Sequence, residues 1–263
     1  MLSIALRLWG AVRLQLFFSF LILSIICFAQ PEPIDKIDIS PSKPGYDPDN
    51  ALLRQYILKV DSISHTNSQG SHFARIYTES MRNIGDQMTA MDSGAQNFIK
   101  KFEISFIGYF LEANNEFGTK GQLPAESVWN FYYSHPGAQP WQLMLIGVNA
   151  HVNGDIWKGL VKNFSVAEIM QYKKTLLSFQ SSISKAFQPL FDDILMQSAY
   201  LRFINGFTNG SAKLYGEWLI YNWRLRQINL AILYFEDNEK FKKKLRAIDK
   251  KRQKIDKAII SKG

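Results

Sequence analysis

Cysteine is nearly missing from this chain, which has one cysteine, Cys27, among 263 residues. A single thiol cannot form a disulfide within the chain, and zinc sites built on thiolates need several cysteines. Cys27 also lies in an apolar leader that we expect to be removed. The remaining chain would then contain no thiol, which excludes disulfides, thiolate zinc sites and cysteine nucleophiles.

Glycine and proline are also scarce, at 16 and 9 residues, and no sustained stretch alternates apolar with polar residues. Both absences disfavour a β-rich fold. A chain of this length with 46% hydrophobic residues can bury one core of substantial size. We therefore predict an all-α fold, a single compact multi-helix bundle.

The short motifs of the commonest enzyme classes are absent as well. The sequence contains no H-E-x-x-H, no paired E-x-x-H, no G-x-S-x-G, no P-loop and no G-x-G-x-x-G. These absences disfavour the common zinc peptidases, carboxylate-bridged di-iron proteins, serine hydrolases and nucleotide-binding proteins.

The first residues have the pattern of an export signal. Arg7 and Arg13 precede an uncharged apolar run over 14–29, which ends in a small-x-small pattern suited to cleavage. We predict a signal peptide over 1–29 and an exported protein, either periplasmic or extracellular. An uncleaved membrane anchor and a lipoprotein attached at Cys27 are the competing interpretations. Export also makes nucleic acid an unexpected partner.

The rest of the chain divides into a tether and one helical domain. Residues 30–48 contain five prolines and no apolar periodicity, which indicates an extended tether, and residues 49–263 form the domain. Pro140 suits a first helical turn, Ser165 with Glu168 forms a capping box, and Pro189 should kink or break its helix. The apolar periodicity predicts helices over 49–64, 71–91, 93–116, 124–134, 140–163, 166–204, 208–235 and 237–260.

Four polar side chains lie at alternate positions in the run from Leu143 to Val161, which is otherwise almost wholly apolar: Asn149, His151, Asn153 and Asp155. A helix that is apolar on every side lies inside the protein, so we expect all four to be buried. Burying such groups costs free energy unless each finds a partner. They therefore form either a paired internal network or a set of ligands that face a cavity.

Helical geometry divides these residues into two faces. Asn149 and Asn153 lie within roughly 40° of each other, as do His151 and Asp155, and the two pairs are roughly 160° apart. His151 and Asp155 can present a nitrogen and a carboxylate to one metal ion, or can hydrogen-bond to each other. On the catalytic interpretation, His151 is a metal ligand or general base and Asp155 a second ligand or orienting carboxylate. Asn149 and Asn153 would then position the substrate.

Two glycines and three other side chains complete the candidate site. Gly147 and Gly154 leave room where a neighbouring helix, a ligand or a metal approaches, and Gly154 can also mark a local break. A metal would need further ligands from other helices, and His72 is the candidate third ligand, although a surface histidine is the plainer interpretation. His135 and Trp129 could line the mouth of a pocket, whereas packing alone also explains such aromatic residues.

The C-terminal segment over 236–263 is a basic helix. Residues 240–263 contain 11 Lys or Arg and two acidic residues. One narrow apolar stripe should dock this helix on the bundle. Peripheral contact with an anionic membrane surface is the alternative role. The stripe consists of Phe241, Leu245, Ile248, Ile255 and Ile259.

The central motif L-I-G-V-N-A-H-V-N-G-D over 145–155 resembles the signature of a bacterial family, domain-of-unknown-function family 5995. The resemblance covers roughly residues 70–235 and is weak after about 165. It implies a helical fold with a polar centre at 149–155 and brings no established activity. Other similar positions are Phe73, Ala74, Tyr77, Thr78, Phe98, Phe106, Tyr109, Ala113 and Trp129.

These observations support two hypotheses. The first is an exported metal-assisted hydrolase, or related enzyme, that acts on a small and partly apolar molecule with a divalent metal such as zinc. The second is a non-catalytic ligand-binding or envelope-interaction module whose polar centre is a structural network. A cavity that reaches His151 would favour the enzyme, and a network satisfied wholly by protein groups would favour the module.

Overall fold

A computed structural model of the protein describes residues 48–179 and 211–261. These residues form helices and connecting turns, and no strand occurs among them. The all-α prediction is therefore confirmed. The helices are α1 Pro48–Ser64, α2 Gly70–Met88, α3 Ser93–Lys120, α4 Asn130–Tyr133, α5 Pro140–Ala150, the π-helical turn π1 His151–Asp155, α6 Ile156–Asn163, α7 Val166–Ser178, α8 Ser211–Glu236 and α9 Asn238–Ile260.

Local signals placed several helix ends correctly. Pro140 lies at the first position of α5, and Gln139 and Gln142 close a capping box around it. The Ser165 backbone N–H donates to the Glu168 carboxylate, which confirms the predicted capping box at the start of α7.

The prediction of a helix over 124–134 is wrong in its first half. Residues 124–129 form consecutive turns, in which the Ser127 N–H donates to the Pro124 carbonyl and the Asn130 N–H to the Ser127 carbonyl. These turns bring Val128 against the central helix, and its carbonyl accepts a hydrogen bond from Arg252. Long-range contacts of this kind override a local helical pattern.

The centre of the bundle is α5 with π1. Every residue from Trp141 to Ala150 is buried, which confirms that this helix is apolar on all sides because it lies inside the protein. Helices α2, α3, α8 and α9 contact this central segment. The polar motif is thus at the core of the bundle.

Two glycines allow this close packing. A Cβ atom on Gly147 would lie 2.8 Å from a ring carbon of Phe73, and one on Gly154 would lie 2.7 Å from a methyl carbon of Val128. Real side chains do not tolerate such distances without a shift of their neighbours. The groups that approach these two glycines are therefore protein side chains, Phe73 at Gly147 and Val128 at Gly154.

The apolar stripe of the C-terminal helix docks on the bundle as predicted. Phe241, Ile248, Ile255 and Ile259 are buried, and Leu245 is partly buried. Two charged residues that the stripe did not include are buried beside it, Arg252 and Asp256.

Several predictions fall outside the described residues. They are the signal peptide over 1–29, nearly all of the tether over 30–48, the part of the predicted helix over 166–204 that lies beyond residue 179, and the break at Pro189. Among the residues that the structure does describe, no helix combines the length and the hydropathy needed to cross a membrane.

Candidate functional site

The predicted helix over 140–163 is one rod whose middle turn is π-helical. This turn, His151–Asp155, contains three of the four polar residues of the motif and Gly154. A single π-helical turn inside an α-helix is rare and often occurs at a functional site. The expected local break at Gly154 is thus a widened turn that leaves the rod continuous.

All four polar side chains of the motif are buried, as predicted. Asn149 and Asp155 have no exposed surface, and His151 and Asn153 are 2% and 3% exposed. The two pairs also have different neighbours. His151 and Asp155 are surrounded by α2, α3 and the turn before α4, whereas Asn149 and Asn153 contact α8 and α9.

His151 and Asp155 form a hydrogen-bonded dyad. The imidazole Nδ1 lies 3.3 Å from Oδ2 of Asp155. The same oxygen accepts a hydrogen bond of 2.9 Å from the indole Nε1 of Trp129, and the other oxygen lies 3.1 Å from Nζ of Lys158. Three groups therefore hold the buried carboxylate, which in turn orients the imidazole.

Aromatic rings surround the imidazole of His151. Phe106 stacks on it with ring centres 3.5 Å apart and planes 15° apart. Phe73 and Tyr77 meet it edge-on at 5.1 and 4.9 Å, and Trp129 lies at 5.8 Å. Four of the six aromatic positions that resemble the family upstream of the motif thus form the wall around its histidine.

Burial keeps His151 in its neutral form. Desolvation lowers the pKa of the imidazole below its ordinary value of 6.5, and the hydrogen bond to Asp155 opposes this shift. With the carboxylate at Nδ1, the single ring proton belongs on Nδ1. Nε2 then carries a free lone pair, and this buried nitrogen has no hydrogen-bond partner in the described structure.

His151 lines a partly enclosed cavity of about 60 Å³. One water needs about 10–15 Å³ by this measure, so the cavity has room for a few waters or a small organic group. Most of its lining is apolar, from α2, α3, α5, α6 and α8. Its polar lining residues are Tyr77, Ser80, Glu103, His151 and Arg224.

A second titratable group faces the same cavity. Glu103 is 4% exposed and accepts a hydrogen bond of 2.8 Å from the hydroxyl of Tyr77. Desolvation raises the pKa of Glu103 to about 7, although Tyr77 and the positive charge of Arg224 oppose the rise. Near neutral pH this carboxyl group can therefore either donate or accept a proton.

The asparagine face of the motif holds the C-terminal helix. The amide of Asn149 donates to the Arg252 carbonyl at 3.0 Å and to the Asp256 carboxylate at 2.8 Å, and its oxygen accepts from Asn153. Gln227 donates to the backbone carbonyl of Asn153. These contacts tie α5, α8 and α9 together, and neither asparagine is among the residues that line the cavity at His151.

Trp129 and His135 flank the short helix α4 and have different surroundings. Trp129 supports Asp155, as described above. His135 is partly buried, stacks on Phe131 and places Nδ1 at 2.8 Å from the Phe131 carbonyl. The structure does not bring His135 to the cavity that His151 lines.

His72 is on α2, next to Phe73, and does not line this cavity. Burial and the charge of Arg75 lower the pKa of its imidazole. Among the described residues, no three His, Cys, Asp or Glu side chains are grouped so that they could hold a metal ion. A zinc site at His151 and Asp155 stays a prediction whose remaining ligands the described residues do not supply.

Sequence reasoning missed most of the cavity wall. The sequence alone assigns no site role to Tyr77 or Arg224, and it does not distinguish Glu103 from the other acidic residues that could supply a metal ligand. Their positions depend on contacts between α2, α3 and α8, which no spacing along the chain reveals. A polar residue among apolar neighbours was the available signal at Glu103, which lies between Phe102 and Phe106.

Comparison with known proteins agrees with the resemblance of the motif. No curated protein and no solved structure matched the chain. One family model matched residues 53–262, which include the whole central motif and nearly every described helix. The chain therefore belongs to the family described as a family of unknown function, DUF5995.

Proposed function

We propose that the protein is an exported hydrolase that uses acid–base chemistry at His151 on a small, partly apolar substrate. One observation carries the proposal. His151 has Nδ1 fixed by a supported carboxylate, while its unpartnered Nε2 belongs to a ring that lines a cavity. A general base needs this combination of an oriented ring and a free lone pair.

The chemistry follows from these contacts. Nε2 of His151 takes a proton from a water in the cavity, and the water oxygen attacks the carbonyl carbon of an ester or amide. Asp155 stabilises the imidazolium that forms, and the imidazolium then returns the proton to the leaving group. Glu103 is the second proton-carrying group on the cavity wall.

The cavity limits the substrate. Its volume of about 60 Å³ accepts only a small acyl group, so a larger leaving group would extend through the opening. Its mainly apolar lining favours a group with a short hydrocarbon part.

A metal-assisted version of the reaction stays a separate proposal. Nδ1 of His151 and Oδ2 of Asp155 bind each other, and Lys158 donates to Oδ1 of Asp155, so Nε2 is the one unpartnered ligand atom of this dyad in the described structure. Elemental analysis of the purified full chain tests this version directly. One equivalent of zinc that disappears in His151→Gln would support it.

The ligand-binding module is the second candidate, and the asparagine face favours it. Asn149 is satisfied by protein groups alone, and its partners are structural. In this version the cavity at His151 binds a ligand without turning it over. The two candidates therefore differ in one observable property: the hydrolase converts its bound ligand, and the module only binds it.

Hydrolysis of p-nitrophenyl acetate and p-nitrophenyl butyrate by the full chain tests the proposal. We expect His151→Gln and Asp155→Asn to lower the rate by about 100- to 10,000-fold, the usual contribution of a general base. His72→Gln is the matched control, since His72 lies off the cavity, and it should keep the wild-type rate.

A second measurement does not depend on the choice of substrate. Long-range ¹H–¹⁵N spectra of the four histidines should show His151 neutral at pH 7, with its proton on Nδ1. A charged ring, or a proton on Nε2, would refute the general-base assignment. Wild-type protein that hydrolyses neither ester would contradict the hydrolase and favour the binding module.

A further inference from the structure

Arg224 is a buried cation with an unused donor at the cavity. The residue is 5% exposed and lines the same cavity as His151. Its Nη2 donates to the carbonyl of Leu176 at the end of α7, whereas its buried Nη1 has no hydrogen-bond partner in the described structure.

An unused donor on a buried guanidinium is costly. Burial removes the charge from water, and the energy is recovered only when its N–H groups are bonded. Glu103 acts on Arg224 through its charge, yet no direct ion pair joins these two described residues. Space therefore remains on the cavity wall for an acceptor from outside the protein.

We infer that Arg224 binds the carboxylate end of the ligand that occupies the cavity at His151. The inference rests on the proposed function only in making that ligand the acid product of the hydrolase. It adds the ligand class, a small acid with a short apolar part that ester or amide hydrolysis releases, and it makes Arg224 the residue that selects this acid.

The surroundings favour a singly charged group. A carboxylate has the charge and the acceptors that a guanidinium N–H prefers. A phosphate would bring more negative charge next to Glu103, whose carboxyl group is already hard to ionise at this buried position. The apolar side chains of Phe106 and Ile220 on the cavity wall then accommodate the hydrocarbon part.

Propionate and its neutral isostere propionamide are the probes. Each is titrated into the full chain at pH 7 while NMR records the shifts of the His151 ring and of amides around the cavity. We expect propionate to bind about tenfold or more tightly than propionamide, because only the carboxylate forms a charge-assisted hydrogen bond with Arg224.

Variants of two neighbouring arginines assign the effect. Arg224→Met should remove the preference for propionate, and Arg224→Lys should keep part of it because the charge remains. Arg226→Met is the matched control: Arg226 is half-buried on the same helix and does not line this cavity. It should keep the wild-type preference.

Three outcomes would overturn the inference. They are equal affinity of the wild type for both probes, a preference that survives in folded Arg224→Met, and shifts confined to surface residues. If Arg224→Met does not fold, the two probes are compared on the wild type and on Arg224→Lys, and a preference for propionate that is undiminished in Arg224→Lys would overturn the inference. Arg224-dependent binding of propionate in a protein without esterase activity would refute the proposed hydrolase and leave this inference intact.

Discussion

At the scale of single residues, the support of Asp155 determines the geometry of the site. Its carboxylate has no exposed surface, yet it lies within hydrogen-bond reach of His151, Trp129 and Lys158. A buried carboxylate with this many partners keeps one position, and the imidazole keeps the orientation that the carboxylate imposes. The orientation of the His151 ring thus depends on Trp129, which is 22 residues away along the chain.

Trp129→Phe tests this dependence. The change removes the donor to Asp155 while keeping an aromatic ring, so we expect a loss of about 1.5–3 kcal/mol in the free energy of unfolding. Urea denaturation measures the loss. Trp141→Phe is the control, since Trp141 is buried as well and does not contact Asp155 among the described hydrogen bonds. Equal losses in both variants would mean that ring size, and not the hydrogen bond, explains the effect.

Glu103 makes stability depend on pH. Burial raises the pKa of its carboxyl group from 4.5 to about 7, so the folded protein holds this proton more tightly than the unfolded chain does. The stabilising contribution is complete below pH 4.5 and is lost as the pH rises through about 7, by on the order of 3 kcal/mol.

Glu103→Gln should remove this loss, because a glutamine amide does not titrate. We expect variant and wild type to be similarly stable at pH 5 and the variant to be the more stable at pH 8, as measured by urea denaturation at several pH values. Glu112→Gln removes an exposed carboxylate of the same helix and is the control.

The titration of His151 also contributes to the pH dependence. Its lowered pKa makes the free energy of unfolding rise with pH, and it does so in both proteins, so the difference between variant and wild type isolates Glu103. A constant difference across this range would contradict the assignment.

At the scale of elements, sequence reasoning succeeded where a signal is local. Pro140 and the Ser165 with Glu168 capping box mark helix ends through contacts within one turn, and the structure confirms them. The π-helical turn was missed, because the i, i+4 spacing of His151 and Asp155 is compatible with an ordinary α-helix. Local pattern also failed at 124–129, where contacts with α9 and Gly154 decide the backbone path.

Gly154→Ala tests how closely the π-helical turn packs against Val128. Alanine normally stabilises a helix relative to glycine by up to about 1 kcal/mol, but here its Cβ would lie 2.7 Å from a Val128 methyl carbon. We expect a net loss of about 1–3 kcal/mol from overpacking, measured by thermal and urea denaturation.

Gly85→Ala provides the matched control for this element. Gly85 lies on α2, and no atom is within 4 Å of a Cβ built there, so this variant should be slightly more stable than the wild type. The double variant Gly154→Ala with Val128→Ala should recover part of the loss. Stabilisation by Gly154→Ala alone would show that Val128 moves away freely.

At the scale of the whole molecule, the hydropathy pattern predicted the fold but not the roles of individual polar residues. The all-α fold, the buried central helix and the docked C-terminal stripe follow from apolar spacing, and all three are present. The division of the four motif residues between two different roles does not follow from apolar spacing. One face, with Asn149, joins three helices, and the opposite face, with His151, lines a cavity with groups from α2, α3 and α8. Burial alone cannot distinguish these roles, because both faces lie inside the bundle.

Export is the prediction that concerns the whole chain. Expressed with its own leader in a bacterial host, the exported protein should begin near Gln30, because an apolar run that follows Arg7 and Arg13 ends in a small-x-small pattern there. Its formal net charge then falls by two, from +8 to +6, since both arginines leave with the leader. N-terminal sequencing and intact mass of the exported fraction measure the outcome. A mass that still includes residues 1–29 would support a membrane anchor instead of a cleaved signal peptide.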